Sequence, residues 1–386
     1  MKHFYLIPYS IPWHLFLMSN DLSRFLIICS FFLIGKLGAV SSPLDSLKKG
    51  TLTIGGGIDA YYGYCFNDVY SGNMPLYVSM ARQNEFNLNL AYLDVKYESD
   101  RVRFRFIPGI GTYMNANYAA EPGLLKVPVE ANAGVQLSTK KEIWLEAGVF
   151  SSPYTNETPI SKDHLVYSRS LAPEYVPYYV TGVKTTIPLS SRLKLYAYLI
   201  NGWQQSMDLN ERKSIGTSLE FKINSKTSFY WNTYTGDERS VFRPEFRTRF
   251  FNDVYLTFLQ DKKFSFTSCA YFGVQEIAKS TPGRDYFPWW QVNFMGKYTF
   301  KNGHGLSGRI EYYDDPHSVQ IASPSGLSGF QCFGQSICYN IPVQEHALLR
   351  FEAKHLYATN GNSFLSSDGE LTRSMPVLYA NLTVWF

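Results

Sequence analysis

Apolar and polar residues alternate with a period of two over most of the chain after residue 47. Residues 127–138 place valine, alanine or leucine at every second position, with mostly polar residues between them. The same alternation recurs at residues 143–149, 193–199, 217–223 and 347–354, and in the last eleven residues, Pro376–Phe386. A period of two predicts β-strands with one apolar and one polar face.

One segment breaks this alternation. Two sets of apolar residues, Phe86, Leu88 and Leu90 on one side and Leu93, Val95 and Tyr97 on the other, have opposite parity. A change of phase inside a strand predicts a β-bulge, which we expect near Tyr92.

Two kinds of connection alternate between the predicted strands. Short polar turns occur at Ser99-Asp100, Thr139-Lys140-Lys141, Ser190-Ser191, Asn224-Ser225-Lys226, Asp261-Lys262, Lys301-Asn302 and Pro342-Val343-Gln344. Longer irregular stretches lie near residues 66–82, 115–126, 151–176, 205–211, 236–250, 276–287, 314–326 and 358–374. Strict alternation of these connections requires about 16 strands. The sequence therefore predicts an all-β domain at residues 51–386, a transmembrane antiparallel β-barrel with short periplasmic turns and long outer loops.

Composition agrees with a membrane barrel. Aromatic residues make up 17% of the chain and charged residues 18%, whereas a soluble domain carries about 25% charged residues. Sparse charge and many aromatic side chains suit an apolar outer wall with aromatic belts at both interfaces. A β-rich soluble protein with a sugar-binding surface is the alternative.

The first residues have the features of an export signal. Arg24 precedes the apolar run Phe25–Ile34, and small residues follow at 38–41. This pattern predicts a signal peptide at residues 1–41, or a true start at Met18, followed by a short periplasmic segment at 42–50. We therefore expect export to the outer membrane of a bacterial cell.

Charge and cysteine content predict no nucleic-acid partner, metal or cofactor. The formal net charge of the whole chain is only +4. Cys332 and Cys338 are six residues apart on one predicted strand, about 20 Å when extended, so they cannot form a disulfide with each other. The cysteine spacing matches no zinc motif.

Several segments, in order along the chain, resemble the putative β-barrel porins of the OmpL-like family. They are residues 84–90 (NEFNLNL), 119–126 (AAEPGLLK), 130–137 (EANAGVQL), 144–150 (WLEAGVF), 177–183 (PYYVTGV) and 201–204 (NGWQ). The resemblance implies an outer-membrane barrel that acts as a porin, and it supplies no catalytic residues.

A barrel of about sixteen strands encloses an aqueous lumen, so its inward charges and infolded loops should control passage. Strand parity assigns these pore-lining candidates to the lumen: Arg103, Arg105, Glu130, Glu142, Glu146, Lys194, Glu220, Lys222, Lys297, Arg309, Glu311, Arg350, Glu352 and Lys354. Acids and bases are nearly balanced, which predicts weak ion selectivity. For any single residue, a solvated wall position with an internal salt bridge is the competing interpretation.

The stretch 151–176 is the strongest candidate for a constriction, because a loop of that length in a compact barrel is usually functional or mobile. Its candidate lining residues are Lys162, Asp163, His164 and Arg169. An ordinary surface loop is the alternative. The segment 115–126, with Glu121, Pro122 and Lys126, is a second candidate.

The aromatic end of the chain predicts an assembly signal. Trp385 and Phe386 close a strand of period two, and such an ending resembles the signal that the barrel-assembly machinery reads on outer-membrane barrels. We therefore expect that machinery, outer-membrane lipid and small hydrophilic solutes as partners. Porins of this size are often trimers, but no strand stands out as an interface.

Passive diffusion of small hydrophilic solutes is the predicted function. One alternative is a plugged barrel that acts through its outer loops as an adhesin or an envelope-structural protein, with tyrosine and arginine packed across the lumen. Another is a lipid hydrolase with a serine and a histidine on the lipid-facing wall. His355 has the outward parity of Phe351 and Ala353, but the sequence places no serine or aspartate beside it, and no Gly-x-Ser-x-Gly motif occurs.

Overall fold

Sixteen strands of the described residues form one closed antiparallel barrel. The computed structural model describes residues 50–67, 72–259, 263–279, 283–322, 329–366 and 368–386. The predicted signal peptide, nearly all of the segment 42–50 and the turn Asp261-Lys262 lie outside these residues. Among the described residues, no helix has both the length and the apolar character needed to cross a membrane.

Barrel strands follow one another in chain order, and the last pairs with the first. Their bounds are β1 Thr51–Cys65, β2 Phe86–Glu98, β3 Val102–Ile110, β4 Pro128–Ser138, β5 Ile143–Ser151, β6 Tyr179–Pro188, β7 Leu193–Ile200, β8 Ser214–Lys222, β9 Thr227–Asp237, β10 Phe246–Phe258, β11 Phe264–Ala278, β12 Arg284–Thr299, β13 Gly305–Asp315, β14 Phe330–Gln344, β15 Ala347–Ala358 and β18 Ser374–Trp385. A two-stranded hairpin, β16 Phe364–Leu365 and β17 Leu371–Thr372, lies in the last long connection. Short helices occur at Thr112–Asn117, Gly123–Lys126, Ser161–Asp163 and Leu171–Glu174.

The wall has an apolar exterior and a polar interior, as the alternation predicts. On β18, Leu378, Leu382 and Val384 are exposed on the outer face, whereas Asn381 and Thr383 are buried inside. A soluble sheet would bury the apolar set and expose the polar set. The reversed arrangement suits a wall whose outside contacts hydrocarbon.

The predicted β-bulge is present, but it lies at Asn89 and not at Tyr92. In the β1–β2 register, Asp59 pairs with Leu90 and Ala60 pairs with Leu88, so Asn89 is the extra residue. The side-chain amide of Asn89 donates to Asp59 (2.7 Å) and its oxygen accepts from the backbone N–H of Met80 (3.1 Å). These inward contacts hold the bulge, and Leu90 turns into the barrel as a result.

Three connections differ from the predicted positions. The turn expected at residues 342–344 lies at residues 345–346, because β14 continues to Gln344 through a register shift against β15. The stretches 236–250 and 276–287 are shorter loops, since β9 to β12 extend into them and leave only residues 238–245 and 279–283. An ion pair between Glu276 and Arg284 joins the two strands beside the second of these loops.

The barrel closes at the carboxyl end of the chain. Phe386 donates its backbone N–H to the carbonyl of Gly56 (3.0 Å), and the Gly56 N–H donates to a Phe386 oxygen (3.3 Å). The Trp385 N–H donates to the carbonyl of His346 on the other side (3.0 Å). The last two residues thus connect β18 to both of its neighbours.

Deleting Phe386 should reduce the amount of folded barrel, because it removes two hydrogen bonds of the closing seam together with the terminal aromatic side chain. We expect less heat-modifiable protein in outer-membrane fractions while total synthesis is unchanged, as measured on gels of unheated and heated samples. Phe386→Tyr, which keeps the ring and the backbone, is the control and should assemble normally. Equal assembly of the deletion variant would show that the terminal residue is ordinary sheet.

Gly148 occupies a position that no larger residue fits. Its φ is +132°, and a Cβ built there would lie 2.1 Å from the Ala131 carbonyl oxygen of the adjacent strand. Because that atom belongs to the backbone, the strand pair β4–β5 would have to separate. We expect Gly148→Ala to cost at least ~1–3 kcal/mol and to lower the temperature at which the barrel loses heat modifiability.

Gly296→Ala is the matched control for this substitution. The Cβ there meets no heavy atom closer than 3.5 Å, so the temperature of unfolding should stay unchanged. Equal stability of the two variants would contradict the close approach at Gly148.

Candidate functional site: an infolded loop that divides the lumen

The connection between β5 and β6 folds into the barrel. Residues 152–178, called here the infolded loop, contact inward side chains of β1, β10, β13 and β15. The loop therefore crosses from its own side of the wall to the far side. That the loop narrows a passage remains a prediction.

Carboxylates of the far wall bind the main chain of the loop. Glu352 accepts from the Ser168 N–H (2.6 Å), Glu311 from the Leu171 N–H (2.5 Å) and Asp253 from the Thr155 N–H (2.5 Å). A charged acceptor on an amide forms a stronger hydrogen bond than a neutral one. These contacts fix the path of the loop through its backbone, and the Ser168 hydroxyl also donates to Glu352 (2.6 Å).

Cations of the same wall bind the loop carbonyls. Arg309 donates to the Ser168 carbonyl (2.6 Å) and Lys354 to the Arg169 carbonyl (2.8 Å). Arg350 donates to the Ser161 carbonyl (2.7 Å). Donors and acceptors of the loop backbone are thus both satisfied by wall charges.

These wall charges also pair with one another. Arg309 lies 3.2 Å from Glu311 and 3.5 Å from Glu352, and Lys354 lies 3.7 Å from Glu311. The side chains of Arg309, Glu352 and Lys354 are 0% exposed. Charges this deeply buried are tolerable only when paired and hydrogen-bonded, as they are here.

Aromatic and arginine side chains fill the space around the far-wall anchors. Tyr167 of the loop packs against Tyr61 and Tyr379, lies under the guanidinium of Arg350 (4.8 Å) and donates to Asp59 (3.1 Å). Farther round the wall, Arg249 lies over the rings of Trp203 (4.8 Å) and Trp289 (5.3 Å). This part of the lumen is packed solid.

The near wall is more open beside the short turns, where β2 ends and β3 begins. Arg103 pairs with Glu146 at 2.7 Å, and Arg105 pairs with Asp94 at 2.8 Å and with Glu130 at 3.3 Å. The Arg103 and Arg105 side chains keep 23% and 37% of their surface exposed. Together with Lys184 and Lys194, they line a polar recess along β2 to β7.

The pore-lining candidates therefore fall into separate groups. The candidates along the near wall are Arg103, Arg105, Glu130, Glu146 and Lys194, with Glu220 and Lys222 on the adjacent β8. Those that anchor the loop are Arg309, Glu311, Arg350, Glu352 and Lys354. Lys297 is partly buried on β12, and Glu142 lies in the turn before β5, with φ +50°, outside the strand in which parity placed it.

The constriction candidates also divide. Lys162 and Asp163 form an exposed ion pair (2.8 Å). His164 and Arg169 are buried and bind the carbonyl of Thr158 (2.7 and 3.0 Å), so they brace the loop internally. Burial lowers the pKa of His164 well below its ordinary value, so its ring is neutral.

The second constriction candidate lies beside the mouth of the barrel. Glu121 accepts from the Tyr179 hydroxyl (2.7 Å) and from the Ser206 N–H (2.7 Å), which joins the segment 115–126 to the connection after β7. Pro122 precedes the helix Gly123–Lys126, and Lys126 is partly exposed. These contacts tie outer connections to one another and do not reach the far wall.

Sequence reasoning missed two acidic anchors, Asp59 and Asp253. Each lies at an inward position of its strand, β1 or β10, where a buried carboxylate needs a hydrogen-bond partner. That parity was visible in the sequence. Their partners on the infolded loop, Tyr167 and Thr155, were not visible, because the path of the loop depends on contacts far apart in the chain.

The family model described as putative beta-barrel porin-2, OmpL-like, matches residues 51–386. No curated protein matches the sequence.

Solved structures share the fold at low identity. The outer-membrane channel DcaP of Acinetobacter baumannii has a TM-score of 0.61 at 9% identity, over 88% of this chain and 98% of that one. The trimer form of OmpT of Vibrio cholerae has a TM-score of 0.57 at 10% identity, over 88% and 100%. An anion-selective porin from Comamonas acidovorans has a TM-score of 0.55 at 7% identity, over 88% and 100%.

Removing one anchor should destabilise the loop and the barrel. Glu352→Ala leaves Arg309 without one of its partners and the Ser168 amide without its acceptor, a loss of about 3–5 kcal/mol for a broken buried pair. We expect a lower urea midpoint for unfolding in detergent, followed by tryptophan fluorescence.

Glu98→Ala is the control, because its pair with Lys96 is about half exposed and should contribute only ~0–1 kcal/mol. Equal midpoints for the two variants would mean that the loop does not depend on Glu352.

Proposed function

Because this chain belongs to the porin family described as putative beta-barrel porin-2, OmpL-like, we propose that small hydrophilic solutes diffuse passively through the part of its lumen that the infolded loop leaves open. The chain is an outer-membrane porin by family and has the closed sixteen-stranded barrel of that class. Transport in this proposal requires no catalysis, metal or cofactor.

The observation that carries this proposal is the unequal exposure of the lumen charges. Arg105 keeps 37% of its side-chain surface exposed on the near wall, whereas Arg309 keeps none on the far wall. Inward charges that retain accessible surface need a water-filled space beside them. Solutes would therefore pass between the loop and β2 to β7, with the exposed pair Lys162–Asp163 as loop charges available to line the passage.

The passage should be only weakly ion-selective. Glu146 is paired with Arg103 and with Lys184 (3.1 Å), and Asp94 and Glu130 share Arg105. Opposite charges that neutralise each other at close range leave little net potential for a passing ion. Size should then decide which solutes pass.

Export and assembly are part of the same proposal. An outer-membrane barrel must cross the inner membrane first, and the predicted signal peptide at residues 1–41 would direct that step. The aromatic end at Trp385 and Phe386 would then bind the barrel-assembly machinery. A homo-trimer is proposed because OmpT of Vibrio cholerae, which has a similar fold, is described in a trimer form.

A plugged barrel is the second candidate, and one observation favours it. Tyr167, Tyr379 and Arg350 pack together across the far part of the lumen, as a plug requires. Packing also reaches the near wall, where Tyr113 and Tyr178 are buried in one cluster with inward residues of β2 to β5. If this packing closes the passage in the membrane, the outer loops would carry the function. A conductance measurement distinguishes the open porin from the plugged barrel.

The test is single-channel conductance of the refolded protein in a planar bilayer, with the reversal potential measured across a salt gradient. We expect stepwise conductance and weak selectivity. The double variant Arg103→Glu/Arg105→Glu should shift the reversal potential toward cation preference, because it reverses charge beside the proposed path.

Lys301→Glu is the control, since it changes an exposed turn at the barrel rim and should shift the potential much less. Inserted but silent protein would contradict the porin proposal and support the plugged barrel.

A further inference from the structure

A serine and a histidine form a hydrogen bond on the outside of the barrel. His355 Nε2 lies 2.7 Å from Ser374 Oγ. His355 shares its face of β15 with the exposed Phe351 and Tyr357, and Ser374 shares its face of β18 with the exposed Leu378. Both side chains therefore lie on the lipid-facing wall, away from the lumen.

The pair lies at the end of the wall where aromatic side chains are exposed. Ser374 is the first residue of β18, at the strand end next to the long outer connection. Exposed aromatic residues Tyr64, Phe333 and Tyr357 lie at the same end of neighbouring strands. Aromatic residues of this kind mark the membrane–water interface, where acyl-ester carbonyls are found.

An apolar groove beside the pair could hold an acyl chain. It is lined by His355 and by Phe66, Ile337, Ala353 and Leu378. Gln335, which also lines it, lies directly across the β14–β15 pair from His355 and has the same outward parity. Polar side chains on a lipid-facing wall lose stability unless something compensates for them, so three together are unusual.

We propose that Ser374 and His355 are the nucleophile and general base of an acyl-ester hydrolase that acts on membrane lipid. The Oγ–Nε2 distance is within the range that activates a serine, and the base faces the groove in which a lipid would lie. Sequence reasoning lacked the serine because it assigned residue 374 to an outer loop. The activity is separate from the pore and does not rest on the proposed transport function.

The chemistry balances with water as the co-reactant. His355 Nε2 takes the proton of Ser374 Oγ as the oxygen attacks the ester carbonyl carbon. The carbon–oxygen bond to the lipid alcohol breaks, and the alcohol leaves with the proton from His355. Water then attacks the acyl-serine and gives a proton to His355. The acyl–serine bond breaks, the fatty acid leaves, and His355 returns the proton to Ser374.

Gln335 is the proposed positioning residue. Its side-chain oxygen would accept the Nδ1–H of His355 and so hold the tautomer in which Nε2 is the base. Gln335→Glu keeps an acceptor and should retain activity with an altered pH profile, whereas Gln335→Leu should lower kcat without changing folding. A purely structural Gln335 would leave the pH profile unchanged.

The test uses the refolded full chain in detergent and in phosphatidylethanolamine vesicles. A fluorophosphonate probe should label Ser374, as located by peptide mass spectrometry, and fatty acid should be released from the vesicles. Ser374→Ala should abolish labelling, and His355→Asn should lower the rate of release by about 10²–10⁴-fold. Ser366→Ala, a serine on the nearby hairpin loop, is the control and should behave as the wild type.

Folding and transport are checked on the same samples. Ser374→Ala should keep heat modifiability and single-channel conductance, because its side chain faces away from the lumen. Folded wild-type protein that is neither labelled at Ser374 nor releases fatty acid would overturn the proposal. Full hydrolysis by the folded Ser374→Ala variant would also overturn it. A silent channel would contradict only the porin proposal.

Discussion

Charged side chains of the far wall hold the infolded loop by its main chain. Glu311, Glu352 and Asp253 accept loop N–H groups, and Arg309, Arg350 and Lys354 donate to loop carbonyls. Backbone groups brought into a barrel must be satisfied, and water cannot reach them once the space is packed. Charged side chains of the wall bind these backbone groups instead. The position of the loop, and therefore the division of the lumen, depends on this arrangement.

The same residue types have different roles on the two walls. On the far wall, arginine, lysine and glutamate are fully buried and act as structural partners of a polypeptide. On the near wall, arginine and lysine pair with buried glutamates and keep part of their own surface exposed. In the proposed porin, ion selectivity would therefore depend on the near wall, whereas the position of the infolded loop depends on the far wall.

Much of the fold could be predicted from the sequence because a membrane imposes a strict rule on a barrel: apolar residues outside, polar residues inside, and every backbone group paired. Parity assigned Arg105 and Arg309 to the lumen equally well. It could not show that a loop covers one and leaves the other open, because that depends on contacts between residues far apart in the chain. For the same reason His164 and Arg169 were expected in the passage but brace the loop. The bulge lies at Asn89 and not near Tyr92, since Asn89 contacts Asp59 and Met80 inside the barrel.

The anchors of the infolded loop come late in the chain. Thr155 binds Asp253, 98 residues later, and Leu171 binds Glu311, 140 residues later. Ser168 binds Glu352 across 184 residues, and Ser161 binds Arg350 across 189. Until the strands that carry these partners are in the sheet, the loop lacks them, and its amides and carbonyls remain hydrated. The loop can dock only after β10, β13 and β15 have joined the sheet, so the division of the lumen is completed late in folding.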